Sequence, residues 1–241
     1  MSASGNGDGI CRDRVVVTGA GQGLGREHAL ALAAESARVE VNDLGETAEA
    51  VAEEIVAAGG TAVADLGDVS DWDYTERLVG RAVGDPVNAR IVKTSSGAGL
   101  MGSVGQGNYG AAKAGIAAVT VIAAAELARY GVTVNAIAPS TRTAMTEAVE
   151  AFVDKMQVPE SGFDTMHPGN ISPLVVWLAS ADSGDVTGRV FEAEGGLLGV
   201  ADGWQHGPQR ARGRRWALDE VGSAVRELLA DAPAPAPVYG A

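Results

Sequence analysis

The sequence predicts an α/β fold built on a doubly wound parallel sheet, and three observations carry that expectation. Short apolar runs alternate with longer amphipathic stretches from residue 14 onward. A glycine cluster, Thr18-Gly19-Ala20-Gly21-Gln22-Gly23-Leu24-Gly25, separates the first apolar run from the first helical stretch. Glycine supplies 33 of the 241 residues and aromatics only 5%, a composition suited to close packing of helices on a sheet.

Residues 1–13 are rich in Gly, Ser and Asp and read as a mobile N-terminus; the domain itself is expected over 14–204 and a C-terminal arm over 205–241. Arg14-Val15-Val16-Val17 reads as a buried strand, followed by a helix from Arg26 to Glu35. Glycines 19, 23 and 25 between them follow a Gly-x-x-x-Gly-x-Gly spacing. Such glycines let the backbone approach a pyrophosphate, and the helix N-terminus supplies amide donors and a positive dipole. A second strand, Arg38 to Asn42, ends at Asp43. A carboxylate about 20 residues past the loop suits the adenosine ribose diol and repels a 2′-phosphate, so NAD is favoured over NADP. Residues 46–58 read as a helix closed by Gly59-Gly60, Thr61 to Ala64 as a third strand and 71–83 as another helix.

The run Ala89-Arg90-Ile91-Val92 then leads as a strand into a loop holding Ser96, where a hydroxyl can bond a substrate carbonyl. Tyr109 and Lys113 are four residues apart and share a helix face. An ammonium beside a phenol favours the phenolate and lowers a pKa that is ordinarily about 10, making Tyr109 a proton donor or acceptor near neutral pH. Lys113 to Arg129 reads as an Ala-rich helix, Gly131 to Pro139 as a strand, Ile171 to Ala179 as a helix and Gly188 to Gly196 as the last strand. A helix over 218–230 and a Pro/Ala tail over 232–241 close the chain.

Composition narrows the function. A net charge of −13 gives nucleic-acid binding no electrostatic support. Cys11 is alone, which excludes an internal disulfide. The longest weakly polar run, Ala114 to Ala125, has twelve residues, short of the roughly 20 of a membrane span. The N-terminus lacks the regions of a secretion signal. A cytoplasmic protein acting on a small molecule, with no membrane and no nucleic-acid partner, is expected. His28, His167 and His206 are scattered, so no metal site is expected. The cluster Arg210, Arg212, Arg214 and Arg215 suits a solvated surface or a CoA phosphate.

Ser96, Tyr109 and Lys113 at this spacing resemble the catalytic signature of the short-chain dehydrogenase/reductase family. The words Ser-Gly-Ala-Gly-Leu and Gly-Gln-Gly-Asn-Tyr-x-Ala-Ala-Lys-Ala-Gly look most like its branch related to the D-3-hydroxyacyl-CoA dehydrogenase part of peroxisomal multifunctional enzymes. The resemblance implies a Rossmann-type three-layer sheet and an NAD-dependent oxidoreductase interconverting a secondary alcohol and a ketone, with a 3-hydroxyacyl-CoA or steroid-like substrate. It implies that Tyr109 exchanges a proton with the substrate oxygen, that Lys113 lowers the tyrosine pKa and binds nicotinamide ribose, and that Ser96 polarises the carbonyl. Gly19, Gln22, Gly23, Leu24, Gly25 and Asp43 would hold the cofactor, together with Asp68 and Val69 at the adenine edge. The backbone after Ile137 and the Thr143 hydroxyl would take the carboxamide. Residues 147–169 correspond to the substrate lid, with Phe152, Met156, Phe163 and Met166 as its apolar candidates.

One departure is expected to matter. Only 90 positions separate Gly19 from Tyr109, and neither the Asn-Asn-Ala-Gly segment nor the helix bearing the family's catalytic asparagine is present. Asn135 belongs to a later strand. At least one strand-and-helix step is therefore missing near 84–85, in a fold where such a unit takes about 30 residues. Either the 89–94 strand pairs with the 14–18 strand, moving the catalytic group toward the glycine loop by roughly 4.8 Å, or the sheet stays open. The missing helix is one that family dimers use, so homo-oligomerisation would be weakened. The alternative function is then a catalytically impaired NAD-binding or subunit-interaction protein.

Overall fold

The computed structural model describes residues 14–82, 89–143, 157–201, 203 and 205–239. Cys11, the 84–85 junction, Phe152 and Met156 lie outside them. The first half alternates strand and helix: β1 (Arg14–Thr18), α1 (Gly23–Ala34), β2 (Arg38–Asp43), α2 (Thr47–Ala57), β3 (Thr61–Leu66) and α3 (Trp72–Ala82). The second half holds β4 (Arg90–Thr94), the short α4 (Gly97–Leu100), the long α5 (Gly107–Leu127), β5 (Thr133–Ser140), α6 (Ser172–Ala179), β6 (Val190–Glu194), β7 (Leu197–Ala201) and α7 (Leu218–Asp231).

Helices α1 and α5 both begin earlier than their sequence suggests. Glycines at 23 and 25 and at 107 and 110 weaken local propensity, but the tertiary contacts of these turns override it. The hairpin strand β7 was not expected. It pairs antiparallel with β6, so the sheet is not wholly parallel.

Among the described residues the strands form two sheets, β1-β2-β3 and β4-β5-β6-β7, with no ladder between β1 and β4. Of the two outcomes expected of a missing strand, the open sheet is the one adopted. The physical reason lies in the helices. Val176 of α6 packs in the first core cluster with Leu32, Val39, Val41 and Ile55. Leu24 of α1 packs against the second, formed by Ile137, Ile171, Leu174, Val175, Leu178 and Ala193. These contacts fix the distance between the halves. Pairing β1 with β4 would gain a few ladder bonds worth about 1 kcal/mol each and tear this packing apart. The edges are incompletely sealed: Val15, Val16 and Val17 are half-buried and Ile91 is exposed, so water can satisfy their backbone groups.

Helix α5 is thinly covered among the described residues. Thr120 and Ala124 are its buried residues, whereas Val119, Val121 and Ile122 are exposed. With its 3-10 extension it runs Gly107–Tyr130, 24 residues, long and apolar enough by length and composition to cross a membrane. The twelve-residue run Ala114 to Ala125 lies inside this helix, which continues through Lys113 and Glu126 on either side of the run.

A further joint between the halves is made by His28 of α1, whose Nδ1 lies 2.9 Å from the Ser172 hydroxyl of α6. Its Nε2 is buried with no hydrogen-bond partner. Burial pushes the imidazole pKa down from 6.5 to about 4. The folded state therefore favours the neutral ring. The stabilisation is complete above the unfolded pKa of 6.5 and is lost as pH falls from there toward 4. Urea midpoints measured from pH 7.5 to 4.5 are expected to record a loss of about 3 kcal/mol over that window. His28→Leu should remove most of that slope.

Candidate active site

The catalytic candidates converge where α4 docks on α5. Ser96 caps α4 in an extended conformation, and its Oγ accepts a 3.3 Å bond from the Ala98 amide, leaving the hydroxyl proton free to be donated outward. Tyr109 is in the first turn of α5 and 37% exposed. Lys113, one turn on, places Nζ 5.6 Å from the Tyr109 ring centroid. That ammonium also donates a 3.0 Å bond to the Thr94 carbonyl, at the end of β4. The lysine is thereby held between strand and phenol.

Close packing sets this joint. A Cβ at Gly99 would lie 2.5 Å from the Ala114 nitrogen and 2.6 Å from the Lys113 carbonyl carbon; one at Gly110 would lie 3.1 Å from the Ala98 oxygen. Ser95, buried beside the candidate serine, donates to the Lys113 carbonyl at 2.8 Å, and its amide donates to the Ile137 carbonyl at 2.7 Å. Sequence reasoning passed over Ser95 and Gly99, because neither carries chemistry of its own; the run Ser95-Ser96-Gly97-Ala98-Gly99 was the available signal.

The glycine turn is open to one side. Gly19 and Gly23 have φ of +63° and +55°, and a Cβ at either would meet nothing, so the turn is open outward. At Gly25 a Cβ would sit 2.2 Å from the Gly19 oxygen, so this glycine is needed for the turn to close on the helix. Gln22, extended, precedes α1. Asp43 stands beside the turn: one carboxylate oxygen accepts from the Gly21 amide at 2.8 Å and the other from the Leu44 amide at 2.7 Å. Asp68 and Val69 follow β3 and are exposed; the Ser70 amide and hydroxyl hold the Asp68 carboxyl below its ordinary range. Behind them Asn42 donates to the Asp65 and Gly67 carbonyls, and Tyr74 donates to Asp65 at 2.6 Å, its phenol pushed up to about 12 by burial and that carboxylate.

Ile137 is fully buried on β5, adjacent to Thr94 in register. Because Leu24 packs in the Ile137 cluster and Ile137 accepts from Ser95, an unbroken chain of contacts links the glycine turn to the serine loop. Thr143 ends the described stretch after β5, half-buried. Of the lid candidates, Phe163 is exposed, but Met166 is buried and its carbonyl accepts from the Thr141 hydroxyl and Arg142 amide. Met166 is a core residue, correcting the expectation from its apolarity alone. Three of the four clustered arginines are likewise paired within the chain. Arg212 and Arg214 pair with Glu220, whose carboxyl is drawn down to about 2, and Arg210 pairs with Asp231. A surface role fits these arginines better than a CoA phosphate.

A glycine turn opening a helix between parallel strands, an acidic residue ending the next strand, and serine, tyrosine and lysine gathered where α4 meets α5 point to an oxidoreductase. Comparison with known proteins agrees. Residues 13–86 match a family described as short chain dehydrogenase, and 84–198 one described as enoyl-(acyl carrier protein) reductase. The chain is 34% identical to hydroxyacyl-CoA dehydrogenase ChsB1 of Mycobacterium tuberculosis, covering 89% of this chain and 88% of that one. It is 32% identical to peroxisomal multifunctional enzyme type 2 of Mus musculus, over 77% of this chain but 32% of the larger enzyme. A crystal structure of a short chain dehydrogenase from Mycobacterium avium superposes with a TM-score of 0.85 at 46% identity, covering 96% of this chain and 99% of that one. The chain belongs to the short-chain dehydrogenase/reductase family, whose members use NAD or NADP. The alignment with the mycobacterial hydroxyacyl-CoA dehydrogenase runs over 281 positions, so gaps are needed to match this chain of 241 residues to it.

Proposed function

We propose that the protein is an NAD-dependent oxidoreductase interconverting a secondary alcohol and a ketone, with 3-hydroxyacyl thioesters as the first substrates to try. The observation that carries this reading is the placement of Lys113 between the Thr94 carbonyl and the Tyr109 ring, with Ser96 on the same joint. The open turn at Gly19 and Gly23 supports a pyrophosphate site, and the Asp43 carboxylate bonded to the Gly21 amide beside it supports recognition of the ribose diol. When bound, the nicotinamide supplies a hydride acceptor or donor. Ser96 donates its hydroxyl proton to the substrate oxygen and orients it. Tyr109 takes the alcohol proton during oxidation and returns it during reduction. The Lys113 ammonium, 5.6 Å from the Tyr109 ring centroid and bonded to the Thr94 carbonyl, orients the ring and stands ready for the nicotinamide ribose. NADH consumption with acetoacetyl-CoA and a panel of ketones tests the reading; absence of turnover across the panel would refute it.

Asp43 supports NAD over NADP. Asp43→Asn is expected to raise the Kd for NAD roughly tenfold, the worth of one hydrogen bond to a charged group, while the Kd for NADP falls. Fluorescence titration with both dinucleotides checks this.

A second reading rests on the unpaired edges of β1 and β4. With the sheet split between glycine turn and phenol, the protein would bind NAD without transferring hydride efficiently. Errors near 1 Å in such geometry cost about a hundredfold. Saturable NADH binding combined with no turnover selects this reading.

A further inference from the structure

We infer that the C-terminal end of the chain forms an apolar wall of the substrate side of this site, with Tyr239 as the residue that selects substrates whose carbonyl or carbinol carries an extended apolar body. The inference rests on the oxidoreductase reading above and deepens it.

After α7 the chain returns to the serine loop. The Tyr239 amide donates to the Gly102 carbonyl at 3.2 Å, and the Val104 amide donates to the Tyr239 carbonyl at 3.0 Å, forming a parallel bridge between Ser103 and Tyr239. The tyrosine ring lies on Gly97, where a Cβ would come within 2.9 Å of Cε2 and 3.0 Å of Oη; Val238 lies on Gly102. Tyr239 and Tyr109 therefore flank the same piece of backbone. Gly97 touches the first, and the Ala98 carbonyl closely approaches Gly110, next to the second.

That surface is uncharged. Neither the stretch Gly97 to Tyr109 nor the stretch Ala232 to Tyr239 contains a charged residue. Val104, Tyr109, Val238 and Tyr239 are all exposed large hydrophobic side chains, Tyr239 by 46%. A sugar phosphate or free carboxylate would find no counter-charge there before Lys113, whereas an alkyl chain would find Val104, Val238 and the two tyrosine rings. The repeat Ala-Pro-Ala-Pro-Ala-Pro at 232–237 favours an extended, stiff backbone, so the two docking residues are delivered at low entropic cost.

The test uses the full chain with Tyr239→Ala and Tyr239→Phe. NADH-dependent reduction of 2-decanone and 2-butanone is compared through kcat/KM. Displacement of a fluorescent anilinonaphthalene sulfonate by 2-decanone gives a readout that needs no turnover. The wild type and Tyr239→Phe are expected to prefer 2-decanone, and Tyr239→Ala to lose about tenfold of that preference, with NADH affinity unchanged in both variants. No preference in the wild type, or equal preference and equal displacement in Tyr239→Ala, would overturn the inference. Tyr239-dependent binding of 2-decanone without any turnover would leave the wall standing and remove the oxidoreductase reading instead.

Discussion

Tyr109→Phe is expected to lower turnover by about 10²–10⁴-fold, the usual worth of a positioned proton-transfer group, while dinucleotide affinity stays at the wild-type value. The separation follows from geometry. The substitution removes only the phenol oxygen; the ring remains against the Lys113 ammonium, and the Lys113 bond to Thr94 is untouched. Steady-state kinetics with the best ketone, paired with NADH fluorescence titration, measures both quantities. Unchanged kcat in Tyr109→Phe would mean that another group moves the proton, and the roles assigned to Ser96 and Lys113 would fall with it.

The second large effect is expected at Gly25. An alanine there puts a methyl 2.2 Å from the Gly19 oxygen, against backbone that has no rotamer to yield. Overpacking of this kind costs about 1–3 kcal/mol, so Tm should fall by several degrees, roughly 2–4 °C per kcal/mol in a chain of this size. Opening the turn also misdirects its amides, and losing one charge-assisted bond raises the Kd for NADH by roughly tenfold or more. Gly19→Ala is the informative contrast. Its methyl meets nothing, and the cost is confined to the left-handed φ of +63°, about 1–3 kcal/mol of strain. Calorimetry and NADH titration on both variants separate collision from strain. If Gly25→Ala binds NADH as tightly as the wild type, the phosphate turn has been misassigned.

Much of the fold was legible because strands and helices announce themselves locally. The runs at 14, 38, 61, 90 and 133 all became strands near their expected bounds, since each is a short apolar or β-branched segment closed by a turn signal. The candidate site was legible for a different reason: the proposed chemistry requires particular side chains at fixed spacing, and Tyr109 and Lys113 stand at that spacing within one helix. What the sequence hid was long-range. Whether β4 would slide over to β1 depended on α1 and α6, whose packing through Leu24, Val176 and the His28–Ser172 contact is not a local pattern. Gly99 looked like one loop glycine among several until Ala114 was found against it. The Pro/Ala tail read as a docking arm, but where it docks was hidden, because two backbone hydrogen bonds leave no mark on the side chains of Val238 and Tyr239.

The split sheet has a mechanical consequence. In an uninterrupted sheet, rows of amide-to-carbonyl links hold the floor beneath a nucleotide rigid, and side-chain substitutions below it go largely unfelt above. Here, among the described residues, the two floors are coupled through side-chain contacts, apolar packing and the His28–Ser172 pair, which yield in small steps. Trimming Leu24 or Val176 should therefore detune the reach from turn to phenol, and catalytic rate would register the slackening well before the chain came unfolded.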